Sequence, residues 1–159
     1  MAGCQALFRK PEATALRVEP PVKQELTAEQ RGNSYRASFQ RGLELTRQGE
    51  YGLALGAYED ALAMDPNSRE ALFNLAASHE ALGDAFQALT LYRKVLEVDP
   101  NDADCYRNIG TCCMKLAHRE RNGAWLDMAR SSWQRSLELQ PDQPDVAGYL
   151  AGIDADSNP

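Results

Sequence analysis

Gly49-Glu50-Tyr51, Ala54-Leu55, Tyr58, Ala61-Leu62 and Met64-Asp65-Pro66-Asn67 return 34 residues later as Gly83-Asp84-Ala85, Ala88-Leu89, Tyr92, Val95-Leu96 and Val98-Asp99-Pro100-Asn101. A third, stretched copy carries Ala129, Trp133, Ser136-Leu137 and Leu139-Gln140-Pro141-Asp142. A fixed period of about 20 to 50 residues is the signature of stacked helical hairpins. One hairpin leaves an apolar face bare, and stacking buries it against the next, so stability is shared between neighbours.

The local chemistry agrees with the period. The first hairpin is expected to pair helices at 34–47 and 51–64 across Gln48-Gly49-Glu50, where glycine takes a left-handed conformation without cost. Asp65-Pro66-Asn67-Ser68 then ends one helix and caps the next, because proline cannot continue a helix interior and Asn or Ser accepts free N–H groups. The second hairpin is expected at 69–82 and 85–98. Small residues fall where two helices must approach: Gly42, Ala76 and Gly110 on the first helices, Ala54, Ala88 and Ala129 on the second. Tyr58, Tyr92, Trp133, Leu72, Leu75 and Ile109 are the matching large side chains. Two positions depart from the pattern: Arg41 replaces an apolar residue, and Val95 a small one.

This arrangement resembles the tetratricopeptide repeat family, over about residues 34–141. The resemblance implies an all-α, right-handed solenoid of three helical hairpins plus a C-terminal capping helix. The expected division is a flexible arm at 1–33, repeats at about 35–68, 69–102 and 103–142, a cap at 144–153 and a tail at 154–159. Pro144 suits a first helical position, and Val146, Tyr149, Leu150 and Ile153 have the spacing of one apolar face. Within the arm, Thr27-Ala28-Glu29-Gln30 has capping-box spacing for a short helix.

The third repeat has seven extra residues between its helices, around 115–125. Seven residues make about two helical turns, so both helices are expected to lengthen in phase. His118-Arg119-Glu120-Arg121-Asn122-Gly123 then forms a projecting tip, with Trp125 and Trp133 against the first helix of the pair.

In the family, the first helix of each pair lines a concave groove that holds a partner segment. Carried onto this sequence, the groove positions are Arg36, Phe39, Leu43, Thr46 and Arg47, then Glu70, Phe73, Asn74, Ala77 and Glu80, then Asp104, Arg107, Asn108, Thr111, Met114 and Lys115. Arg36, Phe39, Leu43, Arg47, Phe73, Asn74, Ala77, Arg107, Asn108, Thr111 and Met114 are the expected binding set. Phe39, Leu43, Phe73 and Met114 are not required by the internal packing pattern, and exposed apolar side chains in a polar surround mark binding sites. The amides of Asn74 and Asn108 both donate and accept, as needed to hold a peptide backbone. The arginines favour an acidic residue in the partner. The clamp that family members use for acidic chaperone tails is matched only at Asn74, since Phe39, Leu43, Asp104 and Asn108 occupy its other positions.

The expected function is therefore a non-enzymatic adaptor or assembly factor whose partner is another protein; the alternative is a self-associating module, a homodimer formed through the third repeat and the cap. A narrower resemblance favours assembly. Ala124-Trp125-Leu126-Asp127-Met128-Ala129 with Trp133 and Pro141 is similar to the third repeat of the photosystem I assembly tetratricopeptide proteins of plastids and cyanobacteria, which would imply thylakoid association. His79 and Cys113 match that family too, while the insertion is shorter and the N-terminal arm differs.

The chain has 159 residues and a net charge of −6, 43% of it hydrophobic and 25% charged. This suits one domain and gives no basic footprint for nucleic acid. No catalytic motif, metal-ligand spacing or phosphate loop stands out, so no enzyme, metal or cofactor is expected. Of four cysteines, Cys105, Cys112 and Cys113 share one helix and lack CxxC spacing, which reads as reduced thiols packed as small hydrophobes. No apolar run is long enough to span a bilayer, which gives a cytoplasmic expectation. Ala2-Gly3-Cys4-Gln5 resembles a bacterial lipoprotein cleavage site, so Cys4 would become a lipid anchor if an apolar segment preceded it.

Overall fold

The computed structural model describes residues 25–156, with side chains described through 153. The arm up to residue 24, including Cys4, and the tail from 157 lie outside the described residues. Seven helices follow one another: α1 (Ala28–Arg47), α2 (Tyr51–Met64), α3 (Arg69–Ala81), α4 (Ala85–Val98), α5 (Ala103–Glu120), α6 (Gly123–Leu139) and α7 (Pro144–Asp156). Each packs against its neighbours in sequence, and α1 also touches α3. The result is an all-α solenoid of three hairpins closed by α7. None of the described helices is long and apolar enough to cross a membrane.

The first two hairpins turn through the expected glycines, Gly49 at φ 79° and Gly83 at φ 84°. In both turns the N–H three residues past the helix reaches back to its last turn: Glu50 N–H to the Leu45 carbonyl and Asp84 N–H to that of His79, each 2.9 Å. This closure satisfies carbonyls that the helix end would leave bare. The next helix is capped from the side chain: Ser68 Oγ accepts from Ala71 N–H (3.2 Å), and Asp102 Oδ1 from Cys105 N–H (2.9 Å). These caps also fix the stacking register. Tyr35 shares a 2.6 Å hydrogen bond with Ser68, Arg69 pairs with Asp102, and Ser136 Oγ donates to the Ala103 carbonyl at 2.8 Å.

Large rings on the second helices sit on small residues of the first. A Cβ at Gly42 would stand 2.5 Å from Tyr58 Cε1, and one at Gly110 would stand 2.7 Å from Trp133 Cε2. Both distances are shorter than van der Waals contact, so only glycine fits. Tyr58, Tyr92 and Trp133 are buried by this nesting, with Ala54, Ala88 and Ala129 beside them. Val95, despite its size, is fully buried as well.

Three boundaries differ from the expectation. α1 begins at Ala28 rather than 34, because the Thr27–Gln30 capping box nucleates the same helix instead of a separate short one. In that box Thr27 N–H donates to Gln30 Oε1 (2.9 Å), and Gln30 N–H to Thr27 Oγ1 (3.2 Å). Gly32 and Asn33 weaken the helix locally without breaking it. In the third hairpin α5 has 18 residues against 13 in α3, and α6 has 17 against 14 in α4. The extra length thus enters both helices as expected, but the tip contracts to Arg121 and Asn122 because α5 continues through His118, Arg119 and Glu120. The cap begins at Pro144, as expected, and runs through Asp156 instead of stopping at 153. Val146 and Ile153 are buried in it and Leu150 half-buried, but Tyr149 is 48% exposed, its ring touching Trp133 at 5.1 Å.

Candidate binding groove

The groove-forming helices are α1, α3 and α5, and their side chains are more committed to the fold than the sequence suggests. Phe39 is half-buried, stacked on Tyr35 at 5.7 Å and tilted against Tyr58 at 5.9 Å. Phe73 is half-buried with its ring at 5.5 Å from Tyr92 in an edge contact, and the Arg69 guanidinium lies over it at 5.8 Å. Met114 is partly buried against the same core. These three residues therefore contribute to internal packing, contrary to the sequence expectation, because Tyr58 of α2 and Tyr92 of α4 reach through to the two phenylalanines and Met114 joins the core. Leu43 alone among the four is exposed, at 42%. Ala77, half-buried, leaves room above α3.

The two asparagines already have partners. Asn74 Nδ2 donates to the Glu70 carbonyl of its own helix (2.7 Å). Asn108 Nδ2 donates to Tyr92 Oη (3.1 Å), and Tyr92 in turn donates to Glu80 Oε2 (3.2 Å). Lys115 completes the chain with a 2.8 Å ion pair to Glu80. Burial, followed by the nearby Glu80 charge, raises the Tyr92 pKa and holds the phenol neutral. This network ties α3, α4 and α5 together across the middle of the groove. Thr111 Oγ1 donates to the Arg107 carbonyl (3.2 Å), again within its own helix.

The expected cations are paired locally. Arg36 folds back on Asn33 Oδ1 (3.1 Å) and the Gly32 carbonyl (3.4 Å). Arg47 grips Glu44 through two hydrogen bonds of 2.9 and 2.6 Å, which hold the Glu44 carboxyl down to about 2. Arg107 pairs with Asp104 at 2.9 Å. All three contacts lie within about one helical turn; i,i+3 spacing brings opposite charges together at Arg47 and Arg107, while the partners of Arg36 are neutral.

At the α5 end the groove opens into a pocket of ≈ 680 Å³ between the third-hairpin tip and α7. Its walls include Thr111 and Met114 of the expected set, with Leu126, Trp133, Tyr149 and Ile153. Gly148 and Gly152 of α7 and the basic residues Lys115, His118 and Arg121 complete it. Sequence reasoning named the tip but missed the α7 wall. The available signal was a pair of glycines four apart inside a helix, a costly choice if only packing mattered. The tip itself is braced from outside: Trp125 meets Phe86 of α4 edge-on at 5.8 Å, and Arg119 lies over the same ring at 5.1 Å. Trp125 Nε1–H donates to Glu120 (3.0 Å), while Trp133 Nε1–H donates to the Arg107 carbonyl (3.0 Å). Trp125 is thus drawn to α4 as well as α5.

A tetratricopeptide repeat model matches residues 39–103. The photosystem I assembly protein Ycf3 of Prochlorococcus marinus (strain NATL1A) is 31% identical over 122 residues, covering 70% of this chain and 68% of that protein. Ycf3 of Synechococcus sp. (strain CC9605) is 32% identical over the same length and shares. Among solved structures, the first repeat domain of Spaghetti (RPAP3) bound to the HSP90 peptide SRMEEVD superposes with a TM-score of 0.71 at 19% identity, covering 80% of this chain and 95% of that one. The Yersinia enterocolitica secretion chaperone SycD in complex with a YopD peptide gives 0.69 at 16%, covering 79% and 96%. The chain belongs to the tetratricopeptide repeat family and, within it, is similar to the Ycf3 photosystem I assembly proteins.

Proposed function

We propose that the chain is a non-enzymatic adaptor or assembly factor that holds a segment of another protein along α1, α3 and α5. The observation that carries this reading is the state of the groove's apolar side chains. Phe39, Phe73 and Met114 are anchored from below by internal contacts yet stay partly exposed, and Leu43 stands exposed beside them. A partner that covers such pre-ordered side chains loses little entropy in fixing them. Full burial of a Leu or Phe contributes about 1.5–3 kcal/mol, and Leu43 has the most exposed surface left to bury. The similarity to photosystem I assembly proteins favours the assembly-factor form, in which the partner is a subunit awaiting incorporation into a complex.

The chemistry of the described residues supports the non-enzymatic part. Burial raises the thiols of Cys112 and Cys113 to about 12 and about 11 and that of Cys105 further, so none is a thiolate nucleophile near neutral pH. His79 turns to Asp84 (3.8 Å) at the end of its helix. Acidic chaperone tails are poor candidates, because Phe39, Leu43 and Asp104 stand where their carboxylates would need donors.

Site-specific photocrosslinking tests the reading. A benzophenone side chain placed at Leu43 should capture a protein partner that one placed at Leu53, 62% exposed on α2, does not. Equal capture at both positions, or capture at Leu53 alone, overturns it.

A further inference from the structure

We propose that the pocket between the third-hairpin tip and α7 is an anchor subsite for one bulky apolar side chain of a partner segment whose next residue is a carboxylate. The proposal rests on the groove reading, since the pocket continues the groove past Thr111 and Met114. Its volume of ≈ 680 Å³ is of the scale that proteins use to enclose ligand groups, and its floor is Met114, Leu126, Trp133 and Ile153. It stays open because Gly148 and Gly152 present no side chain, and a Cβ at either would meet nothing within 4 Å.

Charge selects the occupant. The chain carries −6 overall, yet no acidic side chain lines the pocket, and its basic ones are Lys115, His118 and Arg121. Lys115 is paired with Glu80, whereas His118 and Arg121 are exposed, and among the described residues no ion pair engages either. Of the groove's other arginines, Arg47 and Arg107 are neutralised within a turn and Arg36 folds back on neutral oxygens at the far end, so the uncompensated fixed charge at the pocket belongs to Arg121. Its backbone reinforces the point. Arg121 sits at φ 50°, ψ 41°, the left-handed region that Gly49 and Gly83 occupy in the earlier turns. A non-glycine residue is strained there, and here the strained residue is the cation at the pocket rim. An arginine in that place recognises a carboxylate through charge-assisted, bidentate hydrogen bonds.

The chain's own N-terminal segment fits less well. Its apolar stretch Ala6-Leu7-Phe8 is followed at once by Arg9-Lys10, which would set like charges against the rim. A protein segment with an aromatic or leucine followed by Asp or Glu matches both the apolar floor and the basic edge.

The probes are two unlabelled hexapeptides that differ at one place, Ser-Gly-Trp-Asp-Gly-Ser and the same sequence with Lys for Asp, titrated into the isotope-labelled full chain and followed by its amide and indole NMR signals. The expected result is saturable shifts at Gly148, Gly152 and the Trp133 indole, with the Lys peptide about tenfold weaker, as loss of one charged hydrogen bond implies. Gly152→Leu, which fills the pocket from a position with open space and better helix propensity, should abolish the shifts while keeping the fold. Arg121→Gly relieves the backbone strain and should bind both peptides equally. Shifts confined to Leu43 and Phe73 leave the groove reading intact and overturn the subsite. No saturable shift anywhere, or equal affinity for the two peptides with Arg121 present, also overturns it. So do the two other occupants: shifts at Gly148 and Gly152 that depend on protein concentration alone (a second copy), or that follow removal of residues 1–24 (the chain's own arm).

Discussion

Gly110→Ala adds one methyl group where the structure has no space for it. The new Cβ would lie 2.7 Å from Trp133 Cε2, nearly 1 Å inside contact distance, and the indole cannot simply swing aside. Trp133 is 2% exposed, and its Nε1–H is held at 3.0 Å by the Arg107 carbonyl. Relieving the overlap means tilting α6 away from α5 or breaking that hydrogen bond. Overpacking of this kind costs about 1–3 kcal/mol, and a lost buried hydrogen bond adds roughly 1 kcal/mol. Against this, alanine is better than glycine in a helix interior by about 1 kcal/mol. The net expectation is destabilisation by about 1–3 kcal/mol, or about 2–12 °C in Tm for a chain of this size. Gly56→Ala is the internal control: it lies inside α2 with nothing within 4 Å of the added Cβ, so only the propensity gain remains and stability should rise by about 0.5–1 kcal/mol. Urea denaturation followed by tryptophan fluorescence measures both. If Gly110→Ala is as stable as Gly56→Ala with unchanged Trp133 emission, Trp133 is not seated on Gly110, and the account of hairpin packing fails.

The buried thiols give the chain an alkaline limit. Cys112 and Cys113 titrate near 12 and 11 in the folded state and near 8.5 when unfolded, so their contribution is complete below about pH 8.5 and is lost as pH rises towards those folded values. Stability by urea titration should fall above that point by up to about 1.4 kcal/mol per pH unit per thiol, and a flat profile from pH 8 to 10 would refute the burial argument. Phe86→Ala removes the ring that braces Trp125 and Arg119, a loss of about 1 kcal/mol confined to the third hairpin; hydrogen exchange should quicken at 119–124 and not in α3. Tyr92→Phe deletes the hydroxyl between Asn108 and Glu80 and should cost about 1–2 kcal/mol by denaturation, with Lys115 still paired to Glu80.

The solenoid was legible because its packing is written at fixed offsets. Gly42 with Tyr58 and Gly110 with Trp133 are the same small-to-large contact, Ala76 and Tyr92 hold the matching places in the second hairpin, and the separation grows only where the third hairpin lengthens. The turns were legible for the same reason, since Gly49 and Gly83 each close one helix with the same pair of hydrogen bonds. What the period hides is which groove side chains are already occupied. Asn108 is tied to Tyr92, 16 residues earlier on another helix, and Phe73 leans on the same ring. The Phe73 contact repeats that of Phe39 with Tyr58, whereas the Asn108 bond has no counterpart at Asn74, so that side chain reads as free.

The candidate subsite lies where the third hairpin and the cap depart from the period, which is why it left no periodic trace. A shared repeat can encode only what every hairpin has in common: stacking, turning and capping. A pocket that exists once must come from residues that break the repeat. Arg121 takes the backbone conformation that glycine supplies elsewhere, so the turn closes and a cation is placed at its edge. Gly148 and Gly152 weaken α7 as a helix and in return leave a wall without side chains. Phe86 remains partly exposed on α4 yet supports Trp125 and Arg119 where α5 and α6 extend past it. Each of these is locally unfavourable, and each acquires a structural reason only when the tip and the cap are seen together. The sequence positions most informative about this chain's own partner are therefore the ones that fit the repeat least.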